Sequence, residues 1–339
     1  MAVASSPSPH TGATPLTGIQ VIGGRQRAPQ GMRELDERWY GYGRGVVVDV
    51  TAGAARTIVE YESAPGTCGP EDPVLYKSAS RVGDRLYACT QTEVLVYDYP
   101  SFDLLHHVSH PVLNDVHHVI PSATGTLLVA VSGHDAVAEL DVDGELLNLW
   151  SVADGVDRVP IDPDVDYRID CDLKPHAVHP NYLFRLGEEV WATRFETRDA
   201  VAVHNPSRRI AIDRERCHDG VVHDGAIYFT TVDGCVVEVD ADSLHIRAVH
   251  ELQGRRTNTV LGWCRGLTFR GDHAFVGFSR IRHTKFRNTL SWMRKGLTGS
   301  EPTRVAVYDR RTWTLIDEID LEDAGCNAVF TIVDAGADS

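Results

Sequence analysis

Short runs in which apolar and polar residues alternate recur along the 339 residues of this chain. Six stretches share one pattern, in which a β-branched run is followed by an Asp or Asn and then by a second alternating run. These stretches cover residues 46–61, 94–108, 137–150, 201–212, 236–249 and 305–319. Alternation with a period of two buries one face of a strand, and a short Asp or Asn side chain favours the turn between two strands. Each stretch is therefore predicted to form a β-hairpin.

A second series of strand pairs precedes these hairpins along the chain. The pairs cover residues 81–90, 119–131, 177–193, 220–231 and 266–278. The sixth member of this inner series is a strand at residues 328–333, whose partners are the strands of the N-terminal hairpin. One hairpin alone is marginal in water, so the repeats must stack around a shared core. The sequence predicts an all-β fold, a six-bladed β-propeller in which strands from both ends of the chain share one blade.

Net charge and cysteine content indicate which binding partners and which cellular compartment are expected. The net charge is −15 with histidine neutral. Affinity for nucleic acid and for anionic membranes comes mainly from Lys and Arg, so neither partner is expected. No apolar run approaches the length of a membrane span, and the N-terminus lacks the features of a signal peptide. The seven cysteines, an odd number, favour a reducing compartment. We expect a soluble cytoplasmic protein that is a monomer or a homodimer.

One propeller domain is expected over residues 18–339, preceded by a flexible tail at residues 1–17 that is rich in Ser, Pro, Thr and Gly. Two insertions interrupt the blades, an acidic one at about 151–174 and a basic one at about 280–303. Long insertions commonly form lids or binding loops, and a subunit contact is the alternative. Their opposite charges suggest that the two insertions meet over one end of the channel.

The residue that precedes each inner strand is predicted to face the central channel at one end of the ring. These six residues are Lys77, His118, His176, His218, Arg265 and Cys326. A channel that served only as a packed core would place apolar residues at all six positions, whereas three successive blades here offer histidine. Buried cysteine is usually a small hydrophobe, so Cys326 is interpreted as a core residue. The other positions predict a polar pocket.

Three imidazoles that converge from adjacent strands can form a metal site with open positions for water or substrate. We assign His118, His176 and His218 as the ligands and keep His117 and His179 as alternates. Adjacent strand residues point in opposite directions, so only one of His117 and His118 can face the axis. Nitrogen ligands suit a divalent transition metal, namely zinc, iron, copper or manganese. Structural histidines at the strand starts are the alternative interpretation.

Charged residues near these histidines complete the predicted site. Asp115, Asp172 and Asp219 are candidates to hold the second N–H groups of the imidazoles. Lys77 and Arg265 would bind a substrate carboxylate or phosphate. Asp219 is also the candidate general base, and Arg265 is placed with it as a catalytic residue. The alternative is a structural ion pair between Arg265 and Asp219.

The stretch 262–309 contains the strings GWCRGLTF, AFVGFSRIR and VAVYD. It resembles an uncharacterised bacterial β-propeller family of conserved hypothetical proteins, whose members carry a C-terminal W-x-R-G-L motif and a VG-S-x-R strand. The resemblance covers the last third of the chain and implies the fold. Its motif positions are Trp263, Arg265, Gly266, Ser279 and Arg280. Through this resemblance, Trp263 and Arg280 join Lys77 and Arg265 as expected substrate-binding residues.

More distantly, the architecture is similar to six-bladed lactonases, strictosidine-synthase-like enzymes and streptogramin lyases. The Glu/Asn/Asp calcium-ligand pattern of the lactonases is not found in this sequence, which argues against lactone hydrolysis. Two functional classes follow. The first is a metal-dependent enzyme that acts on a small anionic metabolite as a lyase, hydrolase, isomerase or oxygenase. The alternative is a non-catalytic propeller that binds a protein or ligand through its rim and its basic insertion.

Overall fold

The computed structural model describes residues 15–27, 41–51, 53–70, 72–156, 158–169, 173–256, 259–281 and 299–336. Six four-stranded antiparallel sheets form a six-bladed β-propeller, as the alternating pattern predicted. No α-helix occurs in these ranges, and none of the described residues forms a helix long and apolar enough to cross a membrane. The predicted tail at residues 1–17 and the basic insertion lie largely outside the described residues.

The first blades follow one another along the chain. Blade 1 contains β4 Ser78–Val82, β5 Arg85–Cys89, β6 Val94–Asp98 and β7 Leu104–Val108. Blade 2 contains β8 Val116–Pro121, β9 Leu127–Val131, β10 Ala136–Leu140 and β11 Leu146–Ser151, with a 3₁₀ turn at Ser132–His134. Blade 3 contains β12 Pro180–Leu186, β13 Glu189–Arg194, β14 Asp199–Ala202 and β15 Asn205–Ala211. In each blade the first strand lies innermost.

The remaining strands build two more blades and the closure. Blade 4 contains β16 Cys217–His223, β17 Ala226–Thr231, β18 Cys235–Asp240 and β19 Ile246–Glu251. Blade 5 contains β21 Trp263–Arg270, β22 His273–Ser279, β24 Arg304–Asp309 and β25 Leu315–Asp320. The short strands β20 Thr259–Val260 and β23 Gly299–Ser300 pair in parallel beside it. Blade 6 contains β26 Ala328–Asp334, β1 Ile19–Gln26, β2 Tyr42–Thr51 and β3 Ala54–Tyr61.

Blade 6 joins the two ends of the chain, as predicted. The strand β26 pairs with β1, and β1 pairs with β2, so the C-terminal strand is the innermost of the sheet and the other three strands come from the N-terminal part of the chain. The strand β1 was not predicted, because six of its eight residues are buried and it shows no alternation. Glycine is required at Gly23, since an added Cβ would lie only 1.8 Å from the carbonyl oxygen of Ala328.

The apolar core lies between neighbouring blades. Between blades 1 and 2, Val94 and Val96 pack against Val119 and Val129, and all four side chains are buried. Burial of each such side chain contributes about 1.5–3 kcal/mol relative to exposure. Because the blade interfaces hold the apolar side chains, the innermost strands are left to carry polar groups toward the central channel.

The innermost strands begin earlier than predicted and are irregular where they enter the channel. β8 begins at Val116, β16 at Cys217 and β21 at Trp263, each three residues before the predicted start. Five of these strands shift register against their neighbours. The residues left unpaired are His117, Asn181, Asp219 with Gly220, Arg265 with Gly266, and Phe330. A bulged residue is turned relative to a regular strand, and bulges are common beside active sites.

The acidic insertion packs beside the channel entrance. The backbone N–H of Tyr167 donates to the Pro111 carbonyl at 2.9 Å, and the Asn114 side chain donates to the Tyr167 carbonyl at 2.5 Å. Arg168 reaches the Ser109 hydroxyl at 2.9 Å. Residues 282–298 of the basic insertion lie outside the described residues, so the predicted meeting of the two insertions stays a prediction.

Candidate metal centre

A cavity of about 840 Å³ opens at the end of the channel where the innermost strands begin. Every blade contributes to its wall. The contributing side chains include Lys77, His117, His179, His218, Arg265 and Phe330. A smaller cavity of about 410 Å³ lies at the other end of these strands. The larger cavity is the candidate functional site.

Three of its residues form a cluster suited to a metal ion. One ligand atom each from Asp115, His176 and His179 lies within 4.8 Å of the other two. His176 Nε2 lies 3.0 Å from Asp115 Oδ2. Ligand atoms about 2.0–2.2 Å from a zinc ion at tetrahedral angles are themselves roughly 3.3–3.6 Å apart. The distance between His176 and Asp115 is close to this spacing, and the other separations in the cluster are at most 4.8 Å.

One imidazole nitrogen in this cluster lacks a partner among the described residues. The His176 side chain is only 5% exposed. Its Nε2 faces Asp115, whereas its Nδ1 is buried without a hydrogen-bond partner in the described ranges. Buried polar atoms without partners are uncommon in native structures and call for an explanation such as an unseen water or ion.

His117 stands beside the cluster with a defined tautomer. Its Nδ1 lies 2.7 Å from the Asp115 carbonyl oxygen and 2.9 Å from Ser132 Oγ. Since the Ser132 hydroxyl donates to the Pro180 carbonyl, the proton between Ser132 and His117 belongs to His117 Nδ1. The lone pair of neutral His117 therefore lies on Nε2, which is 3.2 Å from His179 Nε2.

The loop that carries His176 and His179 is held by one carboxylate. Asp135, which follows the 3₁₀ turn, accepts the backbone N–H groups of Ala177, Val178 and His179 at 2.7, 3.0 and 2.7 Å. Sequence reasoning missed Asp135, because it contacts backbone groups more than 40 residues away and resembles an ordinary turn residue. These three hydrogen bonds from the loop to Asp135, called the Asp135 clasp below, fix the backbone of the loop that carries both histidines.

Burial and neighbouring charges set the protonation states of the cluster and its neighbours to those that metal binding requires. Burial lowers the pKa of Lys77, but Asp115 opposes the shift from 3.2 Å away. Burial would raise the pKa of Asp115, yet the Lys77 charge and the neighbouring imidazoles hold it well below its ordinary value. Burial lowers the pKa of His117 well below its ordinary value and that of His179 to about 3. At neutral pH the carboxylate is ionised and these imidazoles are neutral.

The structure does not bring the predicted trio of ligands together. His118 is fully buried away from the cavity, where its Nδ1 accepts the Leu183 N–H at 3.2 Å and its ring packs on Tyr182. His176 is in the cluster, together with the alternate His179. The bulge in β8 turns His117 toward the cavity in place of His118.

His218 lines the cavity but stands apart from the cluster. Its Nε2 accepts the Trp263 indole N–H at 2.9 Å, and its Nδ1 lies 2.8 Å from the side-chain nitrogen of Asn181. Both ring nitrogens thus contact protein groups rather than open space. His218 positions the Trp263 ring in the cavity wall, and Arg280 lies at the cavity rim, where it pairs with Glu322.

Arg265 and Asp219 face opposite ends of the channel. Arg265 lines the larger cavity, lies over the Phe330 ring at 4.2 Å and donates to the Lys77 carbonyl at 3.0 Å. Asp219 lines the smaller cavity, and its carboxylate accepts the Thr230 hydroxyl at 2.5 Å and the Gly266 N–H at 3.0 Å. The bulges in β16 and β21 separate the two side chains. Asp219 is therefore not placed to act as a base at the cluster, and Asp172 lies outside the described residues.

Comparisons with known proteins show the fold alone. No protein-family model and no curated protein matches the chain. A crystal structure of a protein of unknown function from Bacteroides caccae is similar, with a TM-score of 0.60 and 13% identity over 93% of this chain and 97% of that one. Kuenenia stuttgartiensis hydrazine synthase is less similar, with a TM-score of 0.43 and 12% identity over 67% of this chain and 60% of that one. The computationally designed Ika8 protein has a TM-score of 0.43 and 10% identity over 85% of this chain and 84% of that one.

Proposed function

We propose that the protein is a metal-dependent enzyme that acts on a small anionic metabolite in the larger channel cavity. The observation that carries the proposal is the cluster of Asp115, His176 and His179, in which one ligand atom from each residue lies within 4.8 Å of the other two. An interaction scaffold has no need for such a cluster in the wall of a cavity. The position of Asp135 beneath the histidine loop supports the same conclusion, since ligand loops in metal sites are held by further hydrogen bonds.

Two imidazoles and one carboxylate define the kind of metal centre. Three protein ligands leave open positions for substrate or water, as in catalytic sites. A carboxylate in the set favours zinc, iron(II) or manganese over copper, which prefers softer or nitrogen-rich surroundings. Such an ion polarises a carbonyl or activates water or oxygen. The Nε2 lone pair of His117, beside the cluster, faces His179 Nε2 at 3.2 Å and Lys77 Nζ at 3.5 Å, so His117 helps to position these two side chains.

The charge of the cavity wall supports an anionic substrate. Its cationic side chains outnumber the acidic ones in a chain whose net charge is −15. The cations are Lys77, Arg168, Lys174, Arg265 and Arg280, against Asp72, Asp115 and Glu196. An excess of one sign of charge in a cleft favours ligands of the opposite sign.

The resemblance of residues 262–309 to the uncharacterised bacterial propeller family is also part of this proposal. Trp263 and Arg265, two motif positions of the resemblance, lie in the wall of this cavity, which supports the proposal that the chain belongs to the uncharacterised bacterial propeller family. A cytoplasmic location is part of the proposal, because the six described cysteines are all free, as in a reducing compartment. A distant relation to lactonases would then concern architecture and not the reaction.

Metal content measured on single variants tests the proposal. Protein purified without a tag or chelator is analysed by plasma mass spectrometry, and we expect about one equivalent of zinc, iron or manganese per chain. His176→Ala, His179→Ala and Asp115→Asn should each lose the metal. His118→Ala should retain it, and His204→Ala, in an outer blade loop, is the matched control.

Two results would contradict the proposal. One is an absence of metal that persists after reconstitution with each of the three ions. The other is retention of metal by all three cluster variants. Either result would favour the non-catalytic propeller that binds through its rim.

A further inference from the structure

We infer that the substrate is an aromatic acid, a flat ring that carries a carboxylate or phosphate. This inference rests on the proposed function only in placing the substrate in the larger cavity. The cavity wall combines Asp115 and the histidine loop with a set of aromatic side chains. Its volume of about 840 Å³ suits a molecule of metabolite size.

The aromatic side is built from Phe195, Trp263 and Phe330. The Phe195 and Trp263 rings are nearly parallel, with centroids 6.0 Å apart and an interplanar angle of 21°. The Phe195 ring also approaches the His179 ring, at 5.4 Å. An aromatic surface therefore runs from Trp263 to the metal-binding loop. Rings pack against such surfaces in stacked or edge-on geometry better than saturated groups do.

The Trp263 ring is held in one orientation. Its N–H donates to His218 Nε2 at 2.9 Å, so the polar edge of the indole is already bonded to the protein. The side chain of Asn181, a bulged residue of β12, lies against the other ring nitrogen of His218 at 2.8 Å. The part of the indole that faces the cavity is apolar. A preorganised ring of this kind gives affinity at little entropic cost.

Arg265 supplies the charge that an anion would meet. It is only 4% exposed, and no carboxylate in the described ranges lies within 4.0 Å of its guanidinium nitrogens. Its described hydrogen bond goes to a neutral carbonyl, that of Lys77, and its guanidinium lies over Phe330. A buried cation is stable only when it is compensated. Asp219 and Asp115 stabilise this charge from farther away, and a substrate anion in the cavity would add a direct ion pair while its ring packs on the aromatic side.

Calorimetric titration of the full chain with four small probes tests the inference. The probes are phenylacetate, phenyl phosphate, cyclohexylacetate and phenylacetamide. At least one aromatic anion should bind at millimolar concentration. Phenylacetate should bind roughly two- to tenfold tighter than cyclohexylacetate, which keeps the charge but lacks the flat ring. It should bind at least about tenfold tighter than phenylacetamide, which keeps the ring but lacks the charge. The two aromatic anions show which anionic group the guanidinium prefers.

Paired variants assign the contacts. Arg265→Met should weaken aromatic-anion binding at least about tenfold. Arg304→Met is its control, because Arg304 also lies over a ring, that of Phe278, yet pairs with Glu318 outside the cavity. Trp263→Leu should remove the preference for the flat ring, whereas Trp313→Leu, a buried indole stacked on His250, should keep it. Circular dichroism confirms that each variant is folded.

The outcomes separate this inference from the metal proposal. Three results would overturn the inference of an aromatic acid substrate. They are failure of both aromatic anions to bind, equal affinity for phenylacetate and cyclohexylacetate, and binding that survives Arg265→Met in a folded variant. Titrations are repeated on protein stripped with a chelator, since these contacts do not involve the metal. If the protein never holds a metal but still binds aromatic anions through Arg265, the inferred substrate class stands and the proposal of a metal-dependent enzyme is wrong. Metal binding without ring preference would do the reverse.

Discussion

The carboxylate of Asp135 accepts the backbone N–H of His179 at 2.7 Å, across 44 residues of sequence. It also accepts the N–H groups of the two preceding residues, so a side chain in the β9–β10 connection shapes the loop that enters the cavity. Removing such a support from a metal site typically lowers metal affinity by about 10–100-fold. The Asp135 contact is therefore a sensitive point from which to test the site without touching a ligand.

Asp135→Ala should weaken metal binding about 10–100-fold, because the loop of His176 and His179 loses three hydrogen bonds. A competition titration against a chromogenic chelator measures the change. Asp141→Ala is the control, since Asp141 accepts backbone N–H groups in the neighbouring β10–β11 turn, far along the strand from the cavity. Equal affinities for the two variants would show that the clasp has no role in the site.

Glu93 should be essential for stability. Its fully buried carboxylate accepts hydrogen bonds from Tyr61, Ser63, Ala64, Thr67, Thr90 and His107. Glu93→Ala leaves several buried donors without an acceptor, so the free energy of unfolding should fall by at least about 3 kcal/mol. Urea denaturation measures the loss. Glu139→Ala, which removes a more exposed acceptor of Thr126 and Asn148, should cost less than about 1 kcal/mol. Similar losses of unfolding free energy in the Glu93 and Glu139 variants would contradict the essential role of Glu93.

Closure of the ring depends on the absence of a side chain at Gly23. Gly23→Ala would place a Cβ 1.8 Å from the Ala328 carbonyl oxygen and disturb the pairing of β1 with β26. We expect a loss of at least about 2 kcal/mol, as for overpacked positions. Gly41→Ala, where nothing lies within 4 Å of the new Cβ, should stay within about 0.5 kcal/mol of the wild type. Thermal melts of both variants decide the point.

Asp219 should make stability depend on pH. Burial raises its pKa to about 6 in the folded protein, against about 3.9 in an unfolded chain. Below about pH 4 the group is protonated in both states and costs nothing, and the cost grows as pH rises through 6. Asp219→Asn removes this cost and keeps an oxygen for Thr230 and Gly266. Its stability relative to the wild type should therefore increase by up to about 3 kcal/mol between pH 4 and pH 8. A difference that is flat with pH, measured by denaturation, would rule this out.

The hairpins were predictable because local alternation reports which face of a strand is buried. The sharing of blade 6 by strands from both ends was predicted because the last inner strand has its outer hairpin at the N-terminus, but its direct partner, β1, was not predicted. The strand β1 was not predictable in this way, since it is buried on both faces and carries adjacent glycines. Its assignment requires knowledge of its neighbours in blade 6.

The site was only partly predictable for a different reason. The sequence analysis located the residues that enter the channel, Lys77, His176 and Arg265 among them, from their place ahead of the inner strands. It could not tell His117 from His118, or the direction of Asp219, because single-residue bulges reverse the side of a strand that a residue faces. Such bulges depend on contacts between blades and leave no periodic signal in the sequence.

An anomalous difference map at the absorption edge of the metal found in the protein tests the central claim most directly. Crystals grown from chelator-free protein should show one strong peak between Asp115, His176 and His179, about 2.0–2.2 Å from a ligand atom of each. No peak in this cavity in crystals of metal-containing protein, or a peak bound by other residues, would contradict the metal centre and the enzyme built on it.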